Sequence, residues 1–106
     1  MSRYAAAKPY AVPERLEDLA GPTAGFVMLP RHIDWGPSYE YDLADEADAA
    51  VMYERVIREA AHSSDVVAFL DEATLRRLWP RLVVPAEVRM LWERHFPALA
   101  ASASAA

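Results

Sequence analysis

The chain has 106 residues, a formal net charge of −5 and a hydrophobic fraction of 54% that Ala inflates. A length of this order holds one domain at most, near the small end for a self-sufficient core. The absence of Cys excludes a disulfide framework and a thiolate metal site, and an acidic total disfavours a phosphate backbone as the main partner.

The charge is uneven. Residues 1–70 carry twelve acids against six bases, and residues 71–106 four acids against five bases. The negative field therefore belongs to the first two-thirds, where it favours a basic protein as partner. No run approaches the roughly 18 apolar residues of a membrane span, and Met1-Ser2-Arg3 leads into no apolar core of an export signal. The expectation is a cytoplasmic protein with no membrane contact.

Residues 1–12 show no periodicity and read as a flexible arm; the Ala/Ser stretch 98–106 reads as a disordered tail; 13–97 is expected to be a single compact domain. Pro13 suits the first turn of a short helix over 14–19, with Leu16 and Leu19 on one face and Gly21-Pro22 as the stop. Residues 25–29 are short, apolar and bounded by Gly and Pro, and predict a strand. Residues 30–38 form an irregular link, with Ile33 and Trp35 as its apolar groups. Tyr39-Glu40-Tyr41-Asp42-Leu43 alternates bulky and acidic groups at a period of two, which predicts a half-buried strand that pairs with the first as an antiparallel hairpin.

Asp45 then predicts an N-cap, with Glu46 and Asp48 favouring the positive end of the helix dipole. Ala49, Met52, Tyr53, Val56, Ile57 and Ala60 recur at three- and four-residue spacing and make one apolar stripe. Glu54 with Arg58, and Arg55 with Glu59, are spaced for pairing on the solvent side, and the helix is expected to end near residues 62–64. Ser64 or Asp65 is the predicted cap of a brief helix and Asp71 of another. Pro80 is expected to push Trp79 out of helical conformation. Residues 82–84 make an extended corner, and Pro85 restarts a helix with Val88, Leu91, Trp92 and His95 or Phe96 inside. Pro97 is its expected end.

The fold class is thus α+β and mainly helical: an N-terminal β-hairpin, a long amphipathic helix and a C-terminal helical hairpin cornered by Pro80 and Pro85. Trp79 and Trp92 are expected in the core; Trp35, in a Gly-Pro loop, divides evenly between core and surface.

Little in this pattern carries chemistry. His32, His62 and His95 share no ligand spacing. The acids Asp42, Asp45, Glu46 and Asp48 lack the Gly turn and distal Glu of a calcium loop, and capping explains them. Ser63-Ser64 has no nucleophile elbow around it, and none of the three Gly residues opens a phosphate-binding helix. No enzyme, metal or cofactor is expected. The series Arg76, Arg77, Arg81, Arg89 and Arg94 is the best case for nucleic acid, diluted by Glu72, Glu87 and Glu93.

The residues Leu29-Pro30-Arg31-His32-Ile33-Asp34-Trp35, Tyr41-Asp42-Leu43, Tyr53-x-x-Val56-Ile57-x-Glu59, and Trp79-x-x-Leu82-x-x-Pro85-x-x-Val88-Arg89-x-x-Trp92-Glu93 resemble a group of small uncharacterised bacterial proteins over residues 25–97. Ala60-Ala61 departs from the acidic-Gly helix end usual there, and Ile33 from the common Leu. Members are often encoded beside AbiEii-type nucleotidyltransferase toxins, and some carry antitoxin or transcriptional-regulator labels. The resemblance implies a non-enzymatic, antitoxin-like protein-binding module; the alternative is a DNA-binding transcriptional regulator using Arg76, Arg77 and Arg81. The partner-contact residues expected from charge and aromatic content are Asp34, Trp35, Tyr39, Tyr41, Asp42, Asp45, Glu46 and Asp48.

Overall fold

The strongest local signal, Asp45 ahead of an apolar stripe, sets the longest element. In the computed structural model, which describes residues 10–105, helix α1 runs Glu46–Glu59. The Asp45 carboxylate accepts the amides of Ala47 at 2.9 Å and Asp48 at 3.3 Å, two of the donors that a helix start leaves without partners. All six stripe residues are buried, Met52, Tyr53, Val56 and Ile57 completely.

Before it, the segment predicted as a two-turn helix makes only one 3-10 turn, Leu16–Asp18, though Leu16 and Leu19 are both buried. The hairpin forms as predicted but with short strands, β1 Phe26–Val27 and β2 Tyr41–Asp42, antiparallel with Phe26 opposite Asp42 and Val27 opposite Tyr41. Gly25 enters it at φ 88°, a left-handed backbone that only Gly adopts without strain.

Three short helices follow: α2 (Ser63–Phe69), α3 (Glu72–Leu78) and α4 (Ala86–His95). Helix α1 stops at Glu59, earlier than the sequence suggests, because Ala60 is already extended. His62 occupies the N-cap of α2 without a side-chain bond, so neither Ser64 nor Asp65 plays the predicted part. Asp71 does cap α3, accepting Thr74 N at 3.0 Å and Thr74 Oγ1 at 2.9 Å, while its own amide donates to the Tyr53 hydroxyl at 2.9 Å. One buried phenol thus ties the long helix to the start of α3. The pairs foreseen within α1 give way to other partners: Glu54 accepts the Val83 amide at 2.8 Å, and Arg58 lies 3.5 Å from Glu59.

Three expectations need correction. Trp79 stays helical despite the following Pro, and the chain passes through a 3-10 turn, Trp79–Arg81, extending only at Leu82. The loss of regular pairing there is offset by Arg89, which donates to the carbonyls of Trp79 and Leu82 and lies 4.8 Å over the Trp79 ring. Pro97 does not end the chain's order: it opens helix α5, Pro97–Ala105, where its missing N–H costs nothing. The Ala-rich stretch has high helix propensity, and Leu99 is fully buried where α5 packs on α4 and on the Trp79–Arg81 turn. One Leu anchor suffices where a periodic stripe is missing. Of the predicted arm, residues 1–9 lie outside the described residues; Ala11 and Pro13 are buried, and Tyr10 and Val12 pack partly against the core.

The core is one continuous cluster, with no charged or polar residue buried in it among the described residues. Its centre is the pair Trp79 and Trp92, both fully buried with rings 6.1 Å apart. Phe96 packs on Trp92 at 5.8 Å, and the Trp79 indole N–H donates to Glu93 at 2.9 Å. The N-terminal segment docks on α2 and the residue after it: Ala20 and Gly21 donate to the carbonyls of Val67 and Leu70 at 2.9 and 2.8 Å. A Cβ on Gly21 would lie 2.3 Å from the backbone of Phe69, so only Gly permits this approach.

Candidate functional site

The predicted contact residues do converge, on the hairpin and the start of α1. Their carboxylates are largely engaged within the fold. Asp48 accepts the Tyr39 hydroxyl at 2.9 and 3.1 Å and the Asp42 amide at 2.9 Å, fastening β2 to the helix. Asp42 closes an Asx turn on Ala44 N at 2.9 Å. Asp34 accepts the Tyr41 hydroxyl at 2.8 Å, and Glu46 receives a two-pronged contact from Arg77 at 3.3 and 3.2 Å. With Asp45 as the N-cap, these five acids hold the hairpin and the start of α1 in place.

The phenols record that setting. The hydrogen bond to the Asp48 carboxylate raises the Tyr39 pKa above its ordinary value, helped by the surrounding acids. Tyr41 is raised by burial first and by its bond to Asp34 second, with the positive charge of Arg55 opposing. Burial raises Tyr53, partly countered by the bond from the Asp71 amide. Tyr39 and Tyr41 donate to carboxylates and Tyr53 accepts a backbone amide, so each phenol has a structural partner. Among the described residues, no three His, Asp or Glu side chains gather closely enough to hold a metal ion.

Apolar groups stay uncovered here. Seven large apolar residues are exposed among the described residues, and four of them fall within 26–39: Phe26, Met28, Trp35 and Tyr39, at 67, 54, 60 and 50% exposure. Ile33, beside Trp35 in the same link, is completely buried, which leaves Trp35 facing out. Met28 and Tyr39 line a groove of about 330 Å³ together with Arg31, Asp34, Gly36 and Pro37. Trp35 sits between two of those lining residues. Phe26 shares the exposed side of β1 with Met28, since Val27 and Leu29 alternate into the core.

Tyr41 alone of the predicted contact residues is buried, packed edge-on against Tyr39 with rings 4.8 Å apart. Phe26 and Met28 were missed in the sequence because a five-residue apolar run reads as wholly internal. The alternation Phe26, Val27, Met28, Leu29 on a hairpin packed on one side was the signal available.

The basic series is less available than its spacing suggests. Arg76 pairs with Glu72 at 2.9 Å, Arg77 with Glu46, and Arg89 is held by two backbone carbonyls. A second concavity of about 300 Å³, lined by Glu14, Glu17, Glu72, Arg76 and His95 among others, mixes both signs of charge. His32 forms a 3.0 Å contact to Asp65, tying the 30–38 link to α2. No helix among the described residues is long and apolar enough to cross a membrane. No family model, curated protein or solved structure matches the chain.

Proposed function

We propose that the chain is a non-enzymatic protein-binding module, an antitoxin-like partner of a nucleotidyltransferase toxin, and that it binds through the exposed face of its hairpin. The observation that carries this reading is that four large exposed apolar residues, Phe26, Met28, Trp35 and Tyr39, fall within the hairpin and its link, with Met28 and Tyr39 lining one groove beside Asp34. Exposed large apolar residues gathered on one side of a small domain mark an interaction surface, whereas scattered ones mean nothing. Trp, Tyr and Phe supply large contact area at little entropic cost and dominate interface energetics.

The acids shape the choice of partner. A nucleotidyltransferase that handles RNA presents a basic groove, and an acidic surface with aromatic anchors can occupy it. Asp34, Asp42, Asp45 and Asp48 are already bonded inside the fold and act as a fixed negative field, Glu46 being offset by Arg77, and the anchors are Trp35, Phe26 and Met28. The DNA-binding alternative would need a free basic edge, and two of its three Arg residues, Arg76 and Arg77, are paired with Glu72 and Glu46.

The test is co-expression with an AbiEii-type nucleotidyltransferase from the same genome. The wild-type chain should restore growth and co-purify with the toxin. A toxin left fully active by a well-folded, well-expressed chain would sink the proposal. Binding of the isolated chain to duplex DNA, weakening steeply with salt, would replace it with the regulator reading.

A further inference from the structure

Among the described residues, the hairpin has one closed edge and one open edge. In an antiparallel pair, opposite residues alternate between those that bond each other and those whose N–H and C=O point away. The Leu43 amide donates to Gly25 O at 2.9 Å, so Gly25 and Leu43 face inward and the next pair, Phe26 and Asp42, points outward. On β2 the outward Asp42 amide is taken by the Asp48 carboxylate. On β1 the outward N–H and C=O of Phe26 have no such cover: no hydrogen bond among the described residues reaches them, and the residue is 67% exposed.

Resting on the protein-binding reading above, we infer that the free edge of β1 takes an extended, basic segment of the partner as a third strand. An unpaired edge is a template for strand addition, with main-chain bonds supplying affinity and alternate side chains supplying selectivity. The chemistry of the incoming strand follows from the exposed side of the sheet. Opposite residues share a face, so Phe26 stands beside Asp42, and the residues of the same parity just past the paired ones are Met28 and Glu40, both exposed. A strand added beside β1 meets apolar groups first and acids one strand further on, at spacings of about 4.8 Å. Arg suits both: its guanidinium stacks on an aromatic ring and reaches a carboxylate beyond it. A two-residue edge offers few hydrogen bonds, so side-chain contacts with Phe26 and Met28 carry much of the affinity.

The probe is a capped hexapeptide of alternating Val and Arg, titrated into the full isotope-labelled chain by NMR. Binding should slow exchange of the Phe26 amide proton and weaken by about tenfold when alternate peptide residues are N-methylated in the blocking phase, the other phase being tolerated. A Val-Glu peptide should not bind, and the charge-removing pair Glu40→Gln/Asp42→Asn, which keeps an acceptor for the Ala44 amide, should weaken the Val-Arg peptide several-fold. Equal binding by both N-methyl series, or an unprotected Phe26 amide, would overturn strand addition, as would no binding at all. Toxin rescue is read separately. Rescue without peptide binding keeps the protein-binding function and removes this mode; peptide binding without rescue keeps the open edge and removes the toxin as partner.

Discussion

The two ends of the molecule solve opposite problems. Around Trp79 and Trp92, α3, α4 and α5 bury Leu75, Leu78, Val88 and Leu99, and the corner at Pro80 has the carbonyls of Trp79 and Leu82 taken by Arg89. At the hairpin, two-residue strands hold their place through carboxylates and phenols, while Phe26, Met28, Trp35 and Tyr39 remain in solvent. A domain this small has few aromatic residues to anchor its core. Four bulky groups left outside in the hairpin and its link are what the proposed division of labour expects, with stability around the tryptophan pair and recognition at the hairpin.

The sharpest way to break the comparison is at the stability end. Trp92→Ala should cost about 3–5 kcal/mol, most of the stability of a domain this size. Denaturant unfolding checks it, and an unchanged midpoint would show that the tryptophan pair does not organise the core. Gly21→Ala comes next. Its Cβ would meet Phe69 backbone at 2.3 Å, and forcing the N-terminal segment off α2 should cost about 1–3 kcal/mol. A variant as stable as the parent would mean that this docking is dispensable.

Smaller effects sit at the junction of the two regions. Asp45→Ala removes the cap of α1 and should cost about 1 kcal/mol, visible as a lower melting temperature with little change in helical circular dichroism. Alkaline pH should loosen the same junction. A phenol whose pKa is raised in the folded state holds its proton longer there than in the unfolded chain. Its stabilising contribution is complete below the ordinary value of 10.0 and is lost as pH rises through the folded value. Tyr39, Tyr41 and Tyr53 all shift in this direction, burial or a carboxylate partner being the first cause in each. Melting temperature should fall above that pH, and less steeply in Tyr53→Phe, which starts lower because Asp71 N–H loses its acceptor. A parallel fall in both proteins would remove Tyr53 from the explanation.

Much of the fold was legible where local chemistry and periodicity agree. Asp45 and the stripe from Ala49 to Ala60 placed α1, Asp71 placed α3, and the alternation in 39–43 placed the hairpin partner. What escaped was decided by tertiary contact. Residues 97–105 carry no amphipathic period, so their helix depends on Leu99 finding a pocket. Trp79 keeps its helical backbone because Arg89 and Glu93 reach it from another helix. The candidate site was half visible. Charge and aromatic content pointed to the hairpin and the start of α1, where those residues do lie together, but sequence alone gives no count of the bonds those acids make within the fold. It also could not tell which residues of the Gly25–Leu29 run face solvent.

The central claim is that the hairpin face binds and contributes little to stability. The double variant Phe26→Ser/Trp35→Ser tests it most directly, with melting and calorimetric titration against the co-expressed toxin performed on one sample. Two exposed substitutions away from structural features should leave stability within about 0.5 kcal/mol each. Loss of two interface anchors should weaken binding by about 30-fold or more. Unchanged melting with lost binding is the predicted result. Full binding at unchanged stability, or a collapse of the fold, would contradict the division between the two ends.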